Sequence, residues 1–335
     1  MIVVTGATGF IGTYLVDQLL SEGFEVLATG RSKAGEAYFK KLGVPFIPLD
    51  VTDSANFKLL PQTNVEGVVH LAALLVERST RGTTALDYLK TNTIGTLNIL
   101  DYCRKVGCNK IVYTTSLNEA RRSSQPIKED DIKFDYSGNH AAYVISKLTA
   151  AEYIKHYSEE YGMKGIVVRS SIIHGLRYYS KSVDLHRSDW AFKTQFEIFI
   201  ETAIRGEPLE IWGDCSPTAK VRDLIYIKDE VGFIAACLKN KNASGRYNSA
   251  TGKYLTLDEE IKTIIKVFSP TDHPSKITYA PHKPGPEWSI VFDVSKTRRG
   301  IDWVPKYKTY EDALEDMKKD MIQNGHYQKI AEASK

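Results

Sequence analysis

Met1-Ile-Val-Val-Thr-Gly-Ala-Thr-Gly-Phe-Ile-Gly12 is a short apolar run that ends in three evenly spaced glycines, Gly6, Gly9 and Gly12. Behind it, Phe10, Ile11, Tyr14, Leu15, Leu19 and Leu20 recur at helical spacing as far as Ser21. A strand, a tight glycine turn and a helix N-terminus make a phosphate cradle. Backbone N–H groups and the positive end of the helix dipole converge there, and the missing side chains admit a pyrophosphate. The spacing is G-x-x-G-x-x-G rather than G-x-G-x-x-G. No Gly-Lys-Ser/Thr follows, which argues against a nucleoside-triphosphate loop. Such a turn can also be purely structural, so the rest of the chain has to decide.

At 335 residues the chain has room for one large or two modest domains. Charged residues make up 25% and apolar ones 42%, ordinary values for a globular protein. A net charge of +3 gives no sign of a nucleic-acid surface or an acidic tail. No apolar run approaches the roughly 20 residues of a membrane span. A strand starting at Ile2 leaves no room for a signal peptide. Cys103, Cys108, Cys215 and Cys237 are scattered, without C-x-x-C or a histidine at metal spacing. Reduced thiols, a cytoplasmic protein and no metal are expected.

Strand-like runs at Ile2–Thr5, Glu25–Thr29, Pro45–Leu49, Gly67–Leu71, Lys110–Thr115 and Gly165–Arg169 alternate with helix-like stretches. The long helical stretches are Thr84–Arg104 and Ala141–Tyr161. This alternation predicts an α/β fold, a doubly wound parallel sheet with helices on both faces and ligands at the carboxyl ends of its strands. After Arg169 the pattern breaks up. Residues 175–221 are loop-rich, with a helix expected over Phe192–Arg205, and 253–310 hold most of the remaining prolines. This half reads as a smaller lobe over the strand ends, interrupted by a return to the sheet near Leu224–Ile227.

Tyr143 and Lys147 stand four apart on a predicted helix, which places them on one face. A phenol is a poor base at neutral pH, and an ammonium a few Å away favours its phenolate. At 4 Å and an effective dielectric near 20 the attraction is roughly 4 kcal/mol before desolvation. Y-x-x-x-K also occurs on ordinary amphipathic surfaces, so its neighbours matter. Ser116 ends the strand Lys110–Thr115 with a hydroxyl. Leu71-Ala72-Ala73 closes the preceding strand with small residues that let a cofactor near the backbone. Asn92 sits inside a helix that its propensity does not favour, either bonding a neighbouring backbone or acting in catalysis.

Taken together, these motifs resemble the extended short-chain dehydrogenase/reductase superfamily, specifically its NAD(P)-dependent epimerase/dehydratase family, which includes nucleotide-sugar 4-epimerases. The match runs nearly end to end. Gly6–Gly12 is similar to the cofactor turn, Leu49-Asp50-Val51-Thr52-Asp53 to the adenine-side loop, and His70-Leu-Ala-Ala73 to the strand beside the pyrophosphate. Ser116, Tyr143 and Lys147 match the catalytic triad. Gly206–Gly213, Val221–Asp229, Tyr247–Gly252 and Gly300–Lys306 match later landmarks. The resemblance implies a Rossmann-type domain over 1–172 and 222–252, and a C-terminal α/β substrate lobe over 173–221 and 253–335. It implies NAD(P) held by Gly6, Thr8, Gly9, Phe10, Ile11, Gly12, Arg31, Asp50, Val51, Leu71, Ala72, Ala73, Asn92, Tyr143, Lys147 and Ser171. Substrate would meet Ser116, Tyr143, Ile172, Arg222 and Lys283.

Departures from the family pattern narrow the reading. The Asp-Glu pair that eliminates water in 4,6-dehydratases is replaced by Leu117-Asn118, which disfavours that chemistry. Ile172 stands where many nucleotide-sugar enzymes have an Asn on the substrate phosphate, and Lys283 stands near a usual Arg. Arg222 is retained, with an ion pair to Asp223 or Asp229 as the structural alternative. The second strand ends in Gly30-Arg31-Ser32-Lys33, where NAD users carry an acid, so NADP is favoured over NAD. The expected activity is a sugar epimerase working through a transient ketone. A one-way NADPH-dependent keto-sugar reductase is the alternative, and a non-catalytic cofactor sensor is a more distant one. A sugar or nucleotide-sugar is the expected partner, with neither nucleic acid nor membrane. The helices at 84–104 and 141–161, with Leu86, Leu89, Ile94, Leu97 and Ile99, match the pair through which the family dimerises, so a homodimer is expected. The irregular stretch Arg177–Trp190, rich in basic and aromatic residues, is expected to face the substrate.

Overall fold

A computed structural model describes residues 1–31, 33–76, 82–121, 123–138, 140–176, 194–214, 216, 219–286 and 288–333. The stretch Arg177–Trp190 lies outside the described residues, as does Cys215.

The apolar runs of the first half form β1 (Ile2–Thr5), β2 (Val26–Gly30), β3 (Phe46–Pro48), β4 (Gly67–His70), β5 (Lys110–Ser116) and β6 (Lys164–Ser170). Beyond them come β7 (Ile172–His174), β8 (Leu209–Trp212), β9 (Val221–Arg222), β10 (Leu224–Tyr226), β11 (Gly245–Ser249), β12 (Leu255–Thr256) and β13 (Ile277–Ala280). Seven strands make one sheet in the order β3-β2-β1-β4-β5-β6-β11, every neighbouring pair parallel. The order reverses between β1 and β4, and a ligand crevice belongs at that switch point. This is a doubly wound, Rossmann-type sheet.

The helices are α1 (Phe10–Ser21), α2 (Lys33–Lys41), α3 (Ala85–Tyr88), α4 (Gly95–Lys105), α5 (Ala141–Tyr161), α6 (Gln195–Ile204), α7 (Ile227–Lys239), α8 (Leu257–Phe268), α9 (Ser295–Ile301), α10 (Tyr310–Gln323) and α11 (His326–Glu332). Side chains alternate across the sheet. Val4, Val69 and Val112 join Leu15 and Leu19 of α1 and Phe233 and Ile234 of α7 on one face. Val3, Val68 and Ile111 join Ile99 and Leu100 of α4 and Ala150 and Ile154 of α5 on the other. Burying each such side chain contributes about 1.5–3 kcal/mol. The first core continues into the C-terminal helices, where Ile261, Ile264 and Phe268 of α8 meet Ala313, Leu314 and Met317 of α10.

Two expectations need correction. Leu224–Tyr226 does not rejoin the main sheet. It pairs in parallel with Ile172–His174 as a separate two-stranded sheet. The return is made by Gly245–Ser249 alongside β6. Nor is Thr84–Arg104 one regular helix. Between α3 and α4, Leu89–Ile94 is wound as a π-helix around Asn92. Among the described residues, no helix is long and apolar enough to cross a membrane.

Candidate active site

The glycine turn at the end of β1 is dictated by close approach. Gly6 has φ +68°, and a Cβ there would lie 2.7 Å from the Ala72 nitrogen. A Cβ on Gly12 would lie 2.3 Å from the Gly6 oxygen. Gly9 caps α1 and donates its N–H to Gly6 O at 3.0 Å. No side chain caps this helix and its first turn holds no acid, so its positive end suits an anion. This is the fit a dinucleotide pyrophosphate requires. At the end of β2, a Cβ on Gly30 would lie 2.8 Å from Thr8 Oγ1. Buried Thr8 thus occupies the space that an acid at position 30 would need, and exposed Arg31 follows. Asp50 accepts from the Thr52 N–H (2.9 Å) and hydroxyl (2.8 Å), and the Val51 carbonyl accepts from Asn98 at 2.8 Å.

Asn92 is buried and takes up both peptide groups of Leu74: it accepts from Leu74 N–H at 2.7 Å and donates to Leu74 O at 3.2 Å. It also donates to Ser146 Oγ at 2.9 Å. The π-helix therefore pins the loop after Leu71-Ala72-Ala73 to α5. Below it, Thr96 gives its proton to Asn92 O (2.6 Å), so His70 Nε2–H donates to Thr96 Oγ1 (3.0 Å) and Nδ1 accepts from Thr5 Oγ1 (2.6 Å). Burial, then the Lys147 charge, pushes the His70 pKa down to about 3. The imidazole is neutral, and this tautomer follows from the bonding pattern.

Ser116 is the last residue of β5, and its Oγ accepts from Asn118 N–H at 3.2 Å. Tyr143 is 9% exposed, its ring edge-on to Tyr88 at 6.2 Å. One turn on, the buried Lys147 ammonium lies 4.0 Å from the centre of the Tyr113 ring. Burial brings its pKa down to about 7, opposed by the Glu119 charge. The Tyr113 hydroxyl donates to Lys147 O at 3.3 Å, tying α5 to β5. A cavity of about 70 Å³ opens between the turn after Ser116 and the start of α5, bounded by Asn118, Arg121, Phe134 and Val144.

Ser171, expected at the cofactor, and Ile172, Arg222 and Lys283, expected at the substrate, lie farther along the chain. Ser171 Oγ donates to Asp223 O at 2.6 Å, and Ile172 is half-buried in β7. Arg222 pairs with buried Glu260 of α8, not with Asp223 or Asp229. Asp223 instead accepts from Thr251 and Gly252, and Asp229 from Lys306 N–H. Lys283 pairs with Glu210 and lies 4.8 Å from the Trp212 ring centre.

Sequence reasoning missed a buried ionic cluster behind Ser116. Glu119, fully buried, accepts from Thr115 Oγ1 at 2.7 Å and pairs with Arg246. Arg169 Nε lies 3.6 Å from the same carboxylate and donates to Asn248 Oδ1 at 3.0 Å. An arginine at the end of the apolar run Gly165–Arg169 was the available signal, since a buried charge demands a partner.

The NAD-dependent epimerase/dehydratase family model matches residues 2–250. The chain is 26% identical over 324 residues to UDP-glucose 4-epimerase of Halalkalibacterium halodurans, covering 94% of this chain and 93% of that one. It is 26% identical over 317 residues to dTDP-4-dehydro-6-deoxy-D-allose reductase of a Streptomyces species, covering 91% of each. In three dimensions it is similar to the UDP-glucose 4-epimerase of Thermotoga maritima solved with UDP-glucose, with a TM-score of 0.77, 25% identity, and coverage of 96% of this chain and 99% of that one. Motif order, sheet order and family match agree, and the chain belongs to the NAD-dependent epimerase/dehydratase family, enzymes of the extended short-chain dehydrogenase/reductase type.

Proposed function

We propose that the protein is a nucleotide-sugar epimerase that works through a transient ketone. The observation that carries this reading is the placement of Ser116 at the end of β5 and of Tyr143 and Lys147 on the helix packed against it, next to the glycine cradle. A bound NAD(P) would supply the hydride acceptor and donor. Gly6, Thr8, Gly9, Phe10, Ile11 and Gly12 would hold its pyrophosphate, Arg31 the adenosine ribose, Asp50 and Val51 the adenine, and Leu71–Ala73 and Ser171 the flanks of the crevice, with Asn92 fixing the loop after Ala73. Tyr143 takes the proton of the sugar hydroxyl, Lys147 favours its phenolate, and Ser116 donates a hydrogen bond to the same oxygen. Segments 1–172 and 222–252 serve the cofactor, and 173–221 and 253–335 the sugar, with Ile172, Arg222 and Lys283 at its border. Purified protein given UDP-glucose, and in parallel other UDP- and dTDP-hexoses, is expected to form the epimer without net cofactor use.

Thr8 over Gly30 and the exposed Arg31 favour a second reading, NADPH-dependent reduction of a keto-sugar. Stoichiometric NADPH consumption with no epimer formed would replace the first reading with this one. On either reading Arg31→Ala is expected to weaken NADP binding by about 1.5–3 kcal/mol, the range for a charge-assisted hydrogen bond, and to leave NAD nearly unchanged. Calorimetry on both cofactors checks it. Tighter NAD than NADP binding by the unsubstituted protein contradicts the assignment.

A twofold dimer through α3–α5 is part of the proposal. Ile99 is buried in the core, so it leaves the set expected at the interface. Leu86, Leu89, Ile94, Ile145 and Tyr153 are all exposed on these helices, more apolar surface than single helices need to present. Light scattering at micromolar concentration is expected to give twice the chain mass, and a monomer mass refutes it.

A further inference from the structure

Glu119 is neither in the family motifs nor in the triad, yet it is a fully buried carboxylate three residues beyond Ser116. It sits in the 3-10 turn Leu117–Ala120 that Ser116 caps. Its bonds reach three strands of the sheet. Thr115 on β5 donates to it, Arg246 on β11 pairs with it, and Arg169 on β6 approaches it. Lys133 N–H also donates to its backbone oxygen at 2.8 Å. The register explains the convergence. Thr115 lies beside Arg169, and Tyr113 beside Val167, so all four face the α5 side of the sheet. Tyr113, whose ring carries the Lys147 ammonium, is two residues before Thr115 on that face. Two residues of strand span about 7 Å, so Thr115, which donates to the carboxylate, and Tyr113, against which the ammonium lies, are neighbours on that face.

We propose that Glu119 is a positioning residue for this site: anchored by Arg246 and Arg169, it clamps the Ser116 turn to the sheet and supplies the negative charge that keeps the Lys147 ammonium protonated. The proposal rests on the reading of Ser116, Tyr143 and Lys147 given above. His70 on β4 is held neutral and Tyr113 on β5 is a buried phenol, so apart from the Tyr143 phenolate that Lys147 itself favours, the negative charge on this side comes from Glu119. Arg169 and Arg246 reach the carboxylate from β6 and β11, the strands beyond β5. Among the described residues no carboxylate lies within ion-pair distance of Lys147, and Glu119 offsets part of the cost of burying it from longer range.

The test is a titration of protein labelled with ¹³C at the lysine ε-carbon, with the Lys147 signal assigned by its absence in Lys147→Arg. The unsubstituted protein is expected to titrate near neutrality. Glu119→Gln keeps the shape and the Thr115 bond but removes the charge, and is expected to lower the midpoint by about one unit. Glu119→Asp is expected to restore it. In the turnover assay the alkaline limb should shift to lower pH by the same amount. An unchanged midpoint in folded Glu119→Gln overturns the proposal. Should that variant fail to fold, Arg246→Gln, which strips a neutralising cation from Glu119, is expected to raise the midpoint, and no rise overturns the proposal too. The lysine titration is read without substrate or cofactor. If it shifts while no sugar is turned over, the epimerase reading fails and the role of Glu119 stands.

Discussion

Tyr143→Phe is expected to cut turnover by roughly 10²–10⁴-fold, the contribution typical of a general acid–base group. The substitution removes one oxygen and keeps the ring. The edge-on contact with Tyr88 and the packing of α5 on β5 therefore survive, and folding and cofactor affinity should change little. The loss belongs in kcat, because the phenolic oxygen exchanges its proton only as the sugar hydroxyl reacts. Thermal unfolding, cofactor calorimetry and turnover measured on one preparation separate these effects. Turnover close to that of the unsubstituted protein would remove Tyr143 from the proton path.

Glu230→Gln is expected to change how stability depends on pH. The Glu230 carboxyl is fully buried in α7, where Ser170 Oγ donates to it at 2.6 Å and Ser249 Oγ at 2.5 Å. It thereby joins the ends of β6 and β11. Burial outweighs both hydrogen bonds and pushes its pKa from 4.5 up to about 7. A carboxyl whose pKa is raised on folding holds its proton more tightly in the native state. Its contribution is full below the unfolded pKa and is lost as pH rises through the folded one. Over pH 4.5–7 that is about 3 kcal/mol. An amide does not titrate, so the stability advantage of the unsubstituted protein over Glu230→Gln should shrink by that amount between pH 4.5 and 8. His70, with its pKa lowered on folding, acts in the opposite sense, losing stability as pH falls below about 6.5. The difference between the two proteins cancels that term. Urea unfolding at both pH values measures the change, and a constant gap would show Glu230 to be ionised in the fold.

The sheet was legible where burial is apolar. Apolar runs located β1 to β6 to within a residue or two, and the glycine spacing located the cradle. β11 was opaque to the hydropathy pattern for a physical reason. Gly245-Arg-Tyr-Asn-Ser249 buries its polar members by pairing them, Arg246 with Glu119, Asn248 with Arg169, and Ser249 with Glu230. The pattern instead favoured the apolar Leu224–Ile227, whose strand pairs with β7. The π-helix was hidden because Asn92 departs from helical regularity to reach a loop that is distant in sequence. Glu119 was hidden because its significance lies in partners 50 and 127 residues away, Arg169 and Arg246.

The late arrival of β11 also has a meaning for synthesis. As the chain leaves the ribosome, the Val- and Ile-rich β6 waits with one row of N–H and C=O groups unpaired until Gly245–Ser249 has been translated. Such an open edge is a template for strands of other nascent chains. Products that stop before Gly245 therefore lack the strand that closes the sheet and the arginine that neutralises Glu119. Such fragments are expected to associate through that open edge.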